Sequence, residues 1–260
     1  MIDFHNHLLP GVDDGAADLG QTRSALEAYR AQGATAVIAT PHFQGSLLLR
    51  PERAQAALAA VDAAFAAARE LAAAEFPGVR LERGVELMLD TPEPELDDPR
   101  LRLAGTRFAL VEFPFMTVPP FASSSLFELQ MRGWVPVLAH PERYMGSADA
   151  TRDSEEWKRG GALLQVNAGS LLGKYGPDAR ARAWRLLERG TADYLGSDYH
   201  ARGTLHLSAC RAALEAAGGA EQALLLLETN PGRLLQGLPP FPVPPLGPPR
   251  SLLGRLFGRR

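Results

Sequence analysis

Short apolar runs alternate along the chain with longer stretches in which apolar and polar positions mix. Runs rich in Val, Ile, Leu, Phe or Ala, bounded by Gly, Pro or Asp, fall at 2–6, 34–40, 79–87, 106–113, 135–140, 162–168 and 192–197. Their length and continuity predict strands covered on both faces. Helices are predicted between them. Residues 19–32 follow Asp18 as an N-cap and stop at Gly33, and residues 51–75 open on Pro51, which suits a first helical turn. Residues 122–132 end at Gly133, and residues 177–189 open on Pro177 and end at Gly190. Further helices are expected at about 204–217 and 220–229.

Seven strands alternating with helices imply a parallel sheet in an α/β fold. Such a sheet either closes into a barrel or stays open and doubly wound. The placement of the polar residues, described below, favours a distorted (β/α)7 TIM-like barrel in a single domain, for which 260 residues is an ordinary length. Beyond residue 236 the pattern changes. Residues 238–250 hold seven prolines in thirteen positions and read as an extended linker. The last ten residues, SLLGRLFGRR, form a short basic amphipathic piece. The expected organisation is a barrel over 1–236, then a Pro-rich linker and basic tail over 237–260. That tail is either loosely docked or a peripheral contact with a membrane or partner.

Composition removes several classes of function. A net charge of −3 offers no basic excess for nucleic acid. No apolar run is long enough to span a bilayer, and MIDFHNHLLP lacks the basic and apolar regions of a signal peptide. A cytoplasmic location is expected. The single cysteine, Cys210, excludes an intrachain disulfide and a Cys-rich zinc site. It sits in ACRAALEAA without a following arginine loop, which closes the cysteine route to phosphate ester hydrolysis.

The histidines carry the main chemical signal. Five of the six, His5, His7, His42, His140 and His200, fall at the C-terminal ends of expected strands. Glu86, Glu112 and Asp198 occupy matching places, and Asp13 and Asp14 lie in the loop after the first strand. Parallel β/α folds assemble their sites at those ends, where residues distant in sequence converge. Charged groups gathered there desolvate and repel one another unless cations compensate. On a strand the two imidazoles of His5-Asn6-His7 point the same way and reach one ion. Imidazole with carboxylate and no thiolate suits manganese, iron or zinc, and the number of candidate ligands requires two or three ions. Gln165 and Asn167 are read either as facing the site or as ordinary polar barrel positions, and His206 as structural or surface.

The segments MIDFHNHLLPGVDDGA, ATPHF, GVEL, VEFP, AHPERY, LLQVNAGSLLG and GSDYH, in order over residues 1–236, resemble a known family. They are similar to the bacterial protein-tyrosine phosphatases of the polymerase-and-histidinol-phosphatase (PHP) superfamily, which act in capsule and exopolysaccharide systems. GVDDGA with HPERY is specific for that branch. The resemblance implies a distorted barrel of the PHP type holding three divalent ions, manganese foremost, with iron or zinc as alternatives. It assigns His5, His7, Glu86 and Asp198 to one ion, and bridging Glu86, Glu112 and His140 to a second. Asp14, His42 and His200 go to the third.

It also implies direct attack on phosphotyrosine by a metal-bound hydroxide. Asp198 and His200 then belong to the catalytic set, and Arg143 clamps the phosphoryl group. Arg143 as a structural salt bridge is the competing reading. A family arginine that binds substrate maps to Arg202, although ARGTLHL after His200 is shorter than usual. Asn6 and Phe43 fill variable places beside ligands. The implied partner is a phosphotyrosine protein, a membrane-bound bacterial tyrosine kinase controlling polysaccharide export. Alternatives are a small-molecule phosphatase such as histidinol phosphatase, a metal-dependent amidohydrolase, a nuclease and a silent scaffold. The amidohydrolase reading wants a strand-end lysine, which neither Lys158 nor Lys174 supplies.

Overall fold

A computed structural model describes residues 1–91, 94–145 and 150–247. Its strands are β1 (Ile2–Asp3), β2 (Ala36–Ala39), β3 (His42–Gln44), β4 (Arg80–Arg83), β5 (Glu86–Met88), β6 (Phe108–Glu112), β7 (Val135–Ala139), β8 (Leu163–Asn167) and β9 (Tyr194–Gly196). All pairings are parallel. Each of the seven apolar runs contains a strand. The run 79–87 is split into β4 and β5, and β3 lies beyond the run 34–40, so the ladder divides into a three-stranded sheet, β1-β2-β4, and a six-stranded sheet, β3-β5-β6-β7-β8-β9.

The α/β class with parallel sheets is as expected, but among the described residues the strands form two parallel sheets and no closed barrel. The break between β2 and β3 falls at Thr40-Pro41, and proline has no N–H to give to a ladder. The break between β4 and β5 falls at Gly84-Val85. Hydrogen bonds still cross both breaks, from Gly84 N–H to the Ala39 carbonyl (2.8 Å) and from Glu86 N–H to the Pro41 carbonyl (2.9 Å). At the other edge, Asp198 N–H reaches the His5 carbonyl and His7 N–H the Tyr199 carbonyl, each at 2.8 Å.

The connecting helices are α1 (Leu19–Ala31), α2 (Pro51–Glu75), α3 (Ala122–Met131), α4 (Ala150–Arg159), α5 (Ala168–Leu171), α6 (Pro177–Glu188), α7 (Leu207–Ala216), α8 (Ala220–Leu224) and α9 (Asn230–Leu234). α1 begins as its sequence dictates: the Asp18 carboxylate accepts from Gln21 N–H. α4 has no counterpart in the sequence expectation. Its charged run carries one large apolar side chain, Trp157, which is buried. The helix expected over 220–229 passes through a π-helical turn at Leu225–Thr229 before α9. Strand side chains such as Val37, Ile38, Val111, Leu138 and Val166 are fully buried, so helices cover the sheets.

The proline-rich segment differs from a free linker over its described part, residues 238–247. Val243 and Leu246 are buried in the core formed with Leu187 and Leu214. Leu246 N–H bonds the Leu187 carbonyl at 2.9 Å, and Asn230 holds the Phe241 backbone through both its N–H and its carbonyl. An extended proline strand has few hydrogen bonds of its own, so neighbouring side chains supply them. The basic piece SLLGRLFGRR lies outside the described residues.

Candidate metal centre

The broken strands put the ligands together. His42 is the first residue of β3, Glu86 is the first of β5, and the two pair in register. Glu112 closes β6, opposite Met88. His140 follows β7 and Asp198 lies just beyond β9, both in the left-handed backbone region, with φ of 37° and 49°. That conformation costs an L-residue about 1–2 kcal/mol, and it turns both side chains in over the strand ends. His5 and His7 follow β1. Asn6 between them points away and bonds the Ile38 carbonyl (2.9 Å), as alternation requires. Asp13 and Asp14 sit on a loop closed by Ala16 N–H on the His7 carbonyl. Gly15 in that loop has no room for a side chain, because a Cβ would lie 1.9 Å from the His7 oxygen.

All nine expected ligands converge. Glu86 is the centre: its Oε1 lies 3.0 Å from His5 Nε2 and 3.1 Å from His140 Nε2, and its Oε2 lies 3.0 Å from His42 Nδ1. Glu112 Oε1 is 3.1 Å from His42 Nδ1. Asp198 Oδ1 is 3.6 Å from His5 Nε2 and 3.5 Å from His7 Nε2. Asp14 Oδ1 is 3.3 Å from His200 Nε2 and 3.6 Å from His42 Nε2.

Donor atoms group tightly as His7, Asp14, His42 and His200; as His5, His140 and Asp198; as His5, His7 and Glu86; and as His42, Glu86 and Glu112. This grouping differs from the expected partition in three respects. His7 joins the outer set, His140 groups with His5 and Asp198, and His42 lies between sets, with Nδ1 facing Glu86 and Glu112 and Nε2 facing Asp14.

The residues fit divalent cations. Among the described residues, His5 Nε2, His7 Nε2, His42 Nδ1, Glu86 Oε2 and Glu112 Oε1 are buried without a hydrogen-bond partner. Buried polar atoms left this way are costly, and here all of them point into one another. Burial would strip charge from these groups, yet mutual attraction prevails. His5 and His7 are pushed above the ordinary imidazole range and Glu86 far below the carboxylate range. His42 is lifted to about 10 against its burial, by bonds to Glu112 and Glu86. Cations would take the place that protons hold in that arrangement.

A second layer orients the imidazoles. Gln165 Oε1 lies 2.6 Å from His5 Nδ1 and Asp13 Oδ2 lies 2.7 Å from His7 Nδ1, which leaves Nε2 of each ring for the cluster. Gln165 also bonds Asn167, and Asn167 bonds Asp198 Oδ2 at 2.8 Å. Both residues therefore face the site. Asp3 was not foreseen in the sequence. It is fully buried and accepts from Tyr29, from Ser197 Oγ and from Ser197 N–H, tying β1 to the end of β9. A lone Asp in an apolar run carries no signal that would have marked it.

Each residue after His140 in HPERY has a task. Glu142 accepts from Asn167 N–H and Ser170, anchoring the start of α5. Arg143 donates to Asp198 Oδ2 at 2.6 Å and lies over the Tyr175 ring at 4.1 Å. Tyr144 is buried and accepts from Phe113 N–H. Arg202 donates to the Asp14 carbonyl, which places it on the loop side of the cluster. His206 stands outside every ligand group. Cys210 is fully buried, and burial pushes its thiol up to about 12, so it is no nucleophile. Lys158 is engaged with Asp193, and no lysine enters the cluster among the described residues. The bridging lysine of an amidohydrolase is missing.

The sequence profile described as capsular polysaccharide synthesis, CpsB/CapC, matches residues 1–236. The chain belongs to this family. It is 31% identical over 260 residues to the tyrosine-protein phosphatase YwqE of Bacillus subtilis (strain 168), covering 99% of both chains. It is 29% identical over 213 residues to the tyrosine-protein phosphatase CpsB of Streptococcus pneumoniae, covering 77% of this chain and 83% of that one. A solved structure in a study of B. subtilis YwqE and S. pneumoniae CpsB, described as unique metal-dependent tyrosine phosphatases, superposes with a TM-score of 0.78 at 31% identity. It covers 94% of this chain and 98% of that chain.

Two cavities flank the cluster of this family member. One, of about 500 Å³, opens at Asp14 and His42 and runs between Phe43, Leu47, Val61 and Met88. The other, of about 560 Å³, lies beyond Arg143 among Met145, Tyr175, Asp178 and Arg182.

Proposed function

We propose that this protein is a metal-dependent protein-tyrosine phosphatase of capsule or exopolysaccharide synthesis, acting on phosphotyrosine of a bacterial tyrosine kinase. The observation that carries this reading is the convergence of all nine ligands in a chain matched end to end by YwqE. We further propose three divalent ions, manganese foremost, on His5, His7, Asp14, His42, Glu86, Glu112, His140, Asp198 and His200. Ions held there supply Lewis acidity, lowering the pKa of water and neutralising phosphoryl charge.

The chain's own groups do the rest. Glu86 gathers three imidazoles at one point. Gln165 and Asp13 hold two imidazoles in a ligating tautomer. Arg143 offers further N–H groups for phosphoryl oxygens while its bond to Asp198 and the Tyr175 ring fix its plane. Arg202 is the second cation on the substrate side. The phenolate leaving group has a pKa of about 10, so no strong general acid is required. The backbone bonds that cross between the two sheets support reading them as halves of one distorted seven-strand barrel, with residues 1–236 as the catalytic body. No helix among the described residues is long and apolar enough to cross a membrane.

The test compares metal-stripped protein with manganese-loaded protein on a phosphotyrosine peptide and on histidinol phosphate. Metal-dependent turnover of the peptide with little on histidinol phosphate is expected. Preference for histidinol phosphate would overturn the substrate class and leave the metal chemistry standing.

A further inference from the structure

Two cavities lie near the metal cluster, only one of them lined by its candidate ligands, and a phosphotyrosine has one ring to place. Their linings differ. The cavity beyond Arg143 has a mixed lining, in which Arg143, Asp178 and Arg182 are charged and Met116, Met145 and Ala179 apolar. A ring entering there would desolvate charged side chains for no return. The cavity at Asp14 and His42 is walled mainly by apolar side chains, Phe43, Leu47, Ala57, Val61 and Met88, with Asp13 and Gln44 as its other polar residues. Its mouth is itself part of the ligand set.

We propose that this apolar cleft is the aryl subsite, and that it selects tyrosine over shorter phosphorylated side chains. The inference rests on the phosphatase reading above. A phosphate held at the cluster leaves the ester oxygen one bond from its ring, so the ring must lie directly beside the ligands. Only a side chain with the length and flatness of tyrosine then fills the slot between β3, β5 and α2. Phosphoserine carries nothing past the ester oxygen but a methylene, and it would leave these walls wet. Burial of an aromatic ring is worth roughly 10- to 100-fold in affinity. At about 500 Å³ the cleft also has room for backbone beside the ring. α2 contributes small residues on this side, Ala57 and Ala60, and thereby keeps the slot open.

The experiment fills each cavity separately in the manganese-loaded, full-length protein. Ala57→Phe and Ala60→Phe block the apolar cleft, and Ala60 is exposed, so the second variant folds without repacking. Ala179→Phe blocks the cavity beyond Arg143. The substrate is free phosphotyrosine, and inorganic phosphate serves as a competitive inhibitor that reports on the cluster alone. Expected is a KM for phosphotyrosine raised on the order of 10-fold or more in both cleft variants. Phosphate inhibition and metal content should be unchanged, and Ala179→Phe should have little effect. An unchanged KM in both cleft variants, or a rise confined to Ala179→Phe, would overturn the assignment. Wild-type protein inactive on phosphotyrosine would instead sink the phosphatase reading, before any variant is compared.

Discussion

The side chains of His5 and Glu86 are fully buried and that of His140 is 2% exposed, whereas Asp14 is 63% exposed, His42 35% and His200 25%. The inner group stands on strand ends and is held from behind by Gln165 and Asn167. In the outer group Asp14 is carried by a loop and His200 by the segment after β9, while His42 opens β3. A strand end flanked by covered sheet cannot shift without disturbing the core, while a loop moves more freely. The difference teaches that one cluster contains a rigid floor and an adaptable rim. Ions on the floor should bind tightly, and an ion at the rim should exchange.

Removing the shared carboxylate should have the largest effect. Glu86→Gln is expected to reduce turnover on the order of 10³-fold, the scale for deleting a charge-stabilising group. Most of the metal should go with it, as read by elemental analysis. Full metal content in that variant would end the idea of a common floor. At the rim, Asp14→Asn or His200→Ala should cost on the order of 10²-fold and release only part of the metal. If either empties the whole site, floor and rim are one unit.

Smaller effects come from the second layer. Asp13→Asn and Gln165→Leu leave every ligand in place but free one imidazole tautomer each. Metal affinity should fall about 10-fold, measured by competition with a chelator. The pH dependence of the metal-free protein sharpens the contrast further. His42 is lifted from 6.5 to about 10, because contacts with Glu112 and Glu86 outweigh its burial. A group raised on folding stabilises fully below its unfolded value and loses that contribution as pH rises through the folded value. The melting temperature of metal-free protein should therefore decline between pH 6.5 and about 10. Glu86 and Asp198 are lowered, so their contribution is present above the ordinary carboxylate range and disappears as the medium turns acid. Metal-loaded protein should show a flat alkaline limb, and a decline of equal size there would contradict proton–metal competition at this cluster.

Strands such as β2, β6 and β7 were legible in the sequence because they sit in continuous apolar runs, and helices because Asp18, Pro51 and Pro177 mark their starts. The ligands were legible because histidines and carboxylates at the ends of such runs have no role in packing. The breaks were not, since Thr40-Pro41 reads as the end of the run 34–40, which hides β3 beyond it, and Gly84-Val85 lies inside the continuous run 79–87. α4 was missed because its charged run offers a single large apolar side chain, Trp157. The proline-rich segment misled for a related reason. Composition predicts its extended backbone but not the surface it lies on, and here Val243 and Leu246 find the core.

Local sequence pattern alone fixed the parallel α/β class and singled out the candidate ligands. Both follow from local pattern: the lengths of apolar runs and the residue types that end them. Tertiary structure decided which nitrogen of each imidazole faces the cluster, that Asp13 and Gln165 set those orientations, and that His42 stands between two ligand groups. It also decided that one nearby cavity opens at candidate ligands between mainly apolar walls, while the other gathers Arg143, Asp178 and Arg182. These are relations between residues far apart in the chain, and burial, tautomer and cavity shape exist only once the strands and loops have been brought together.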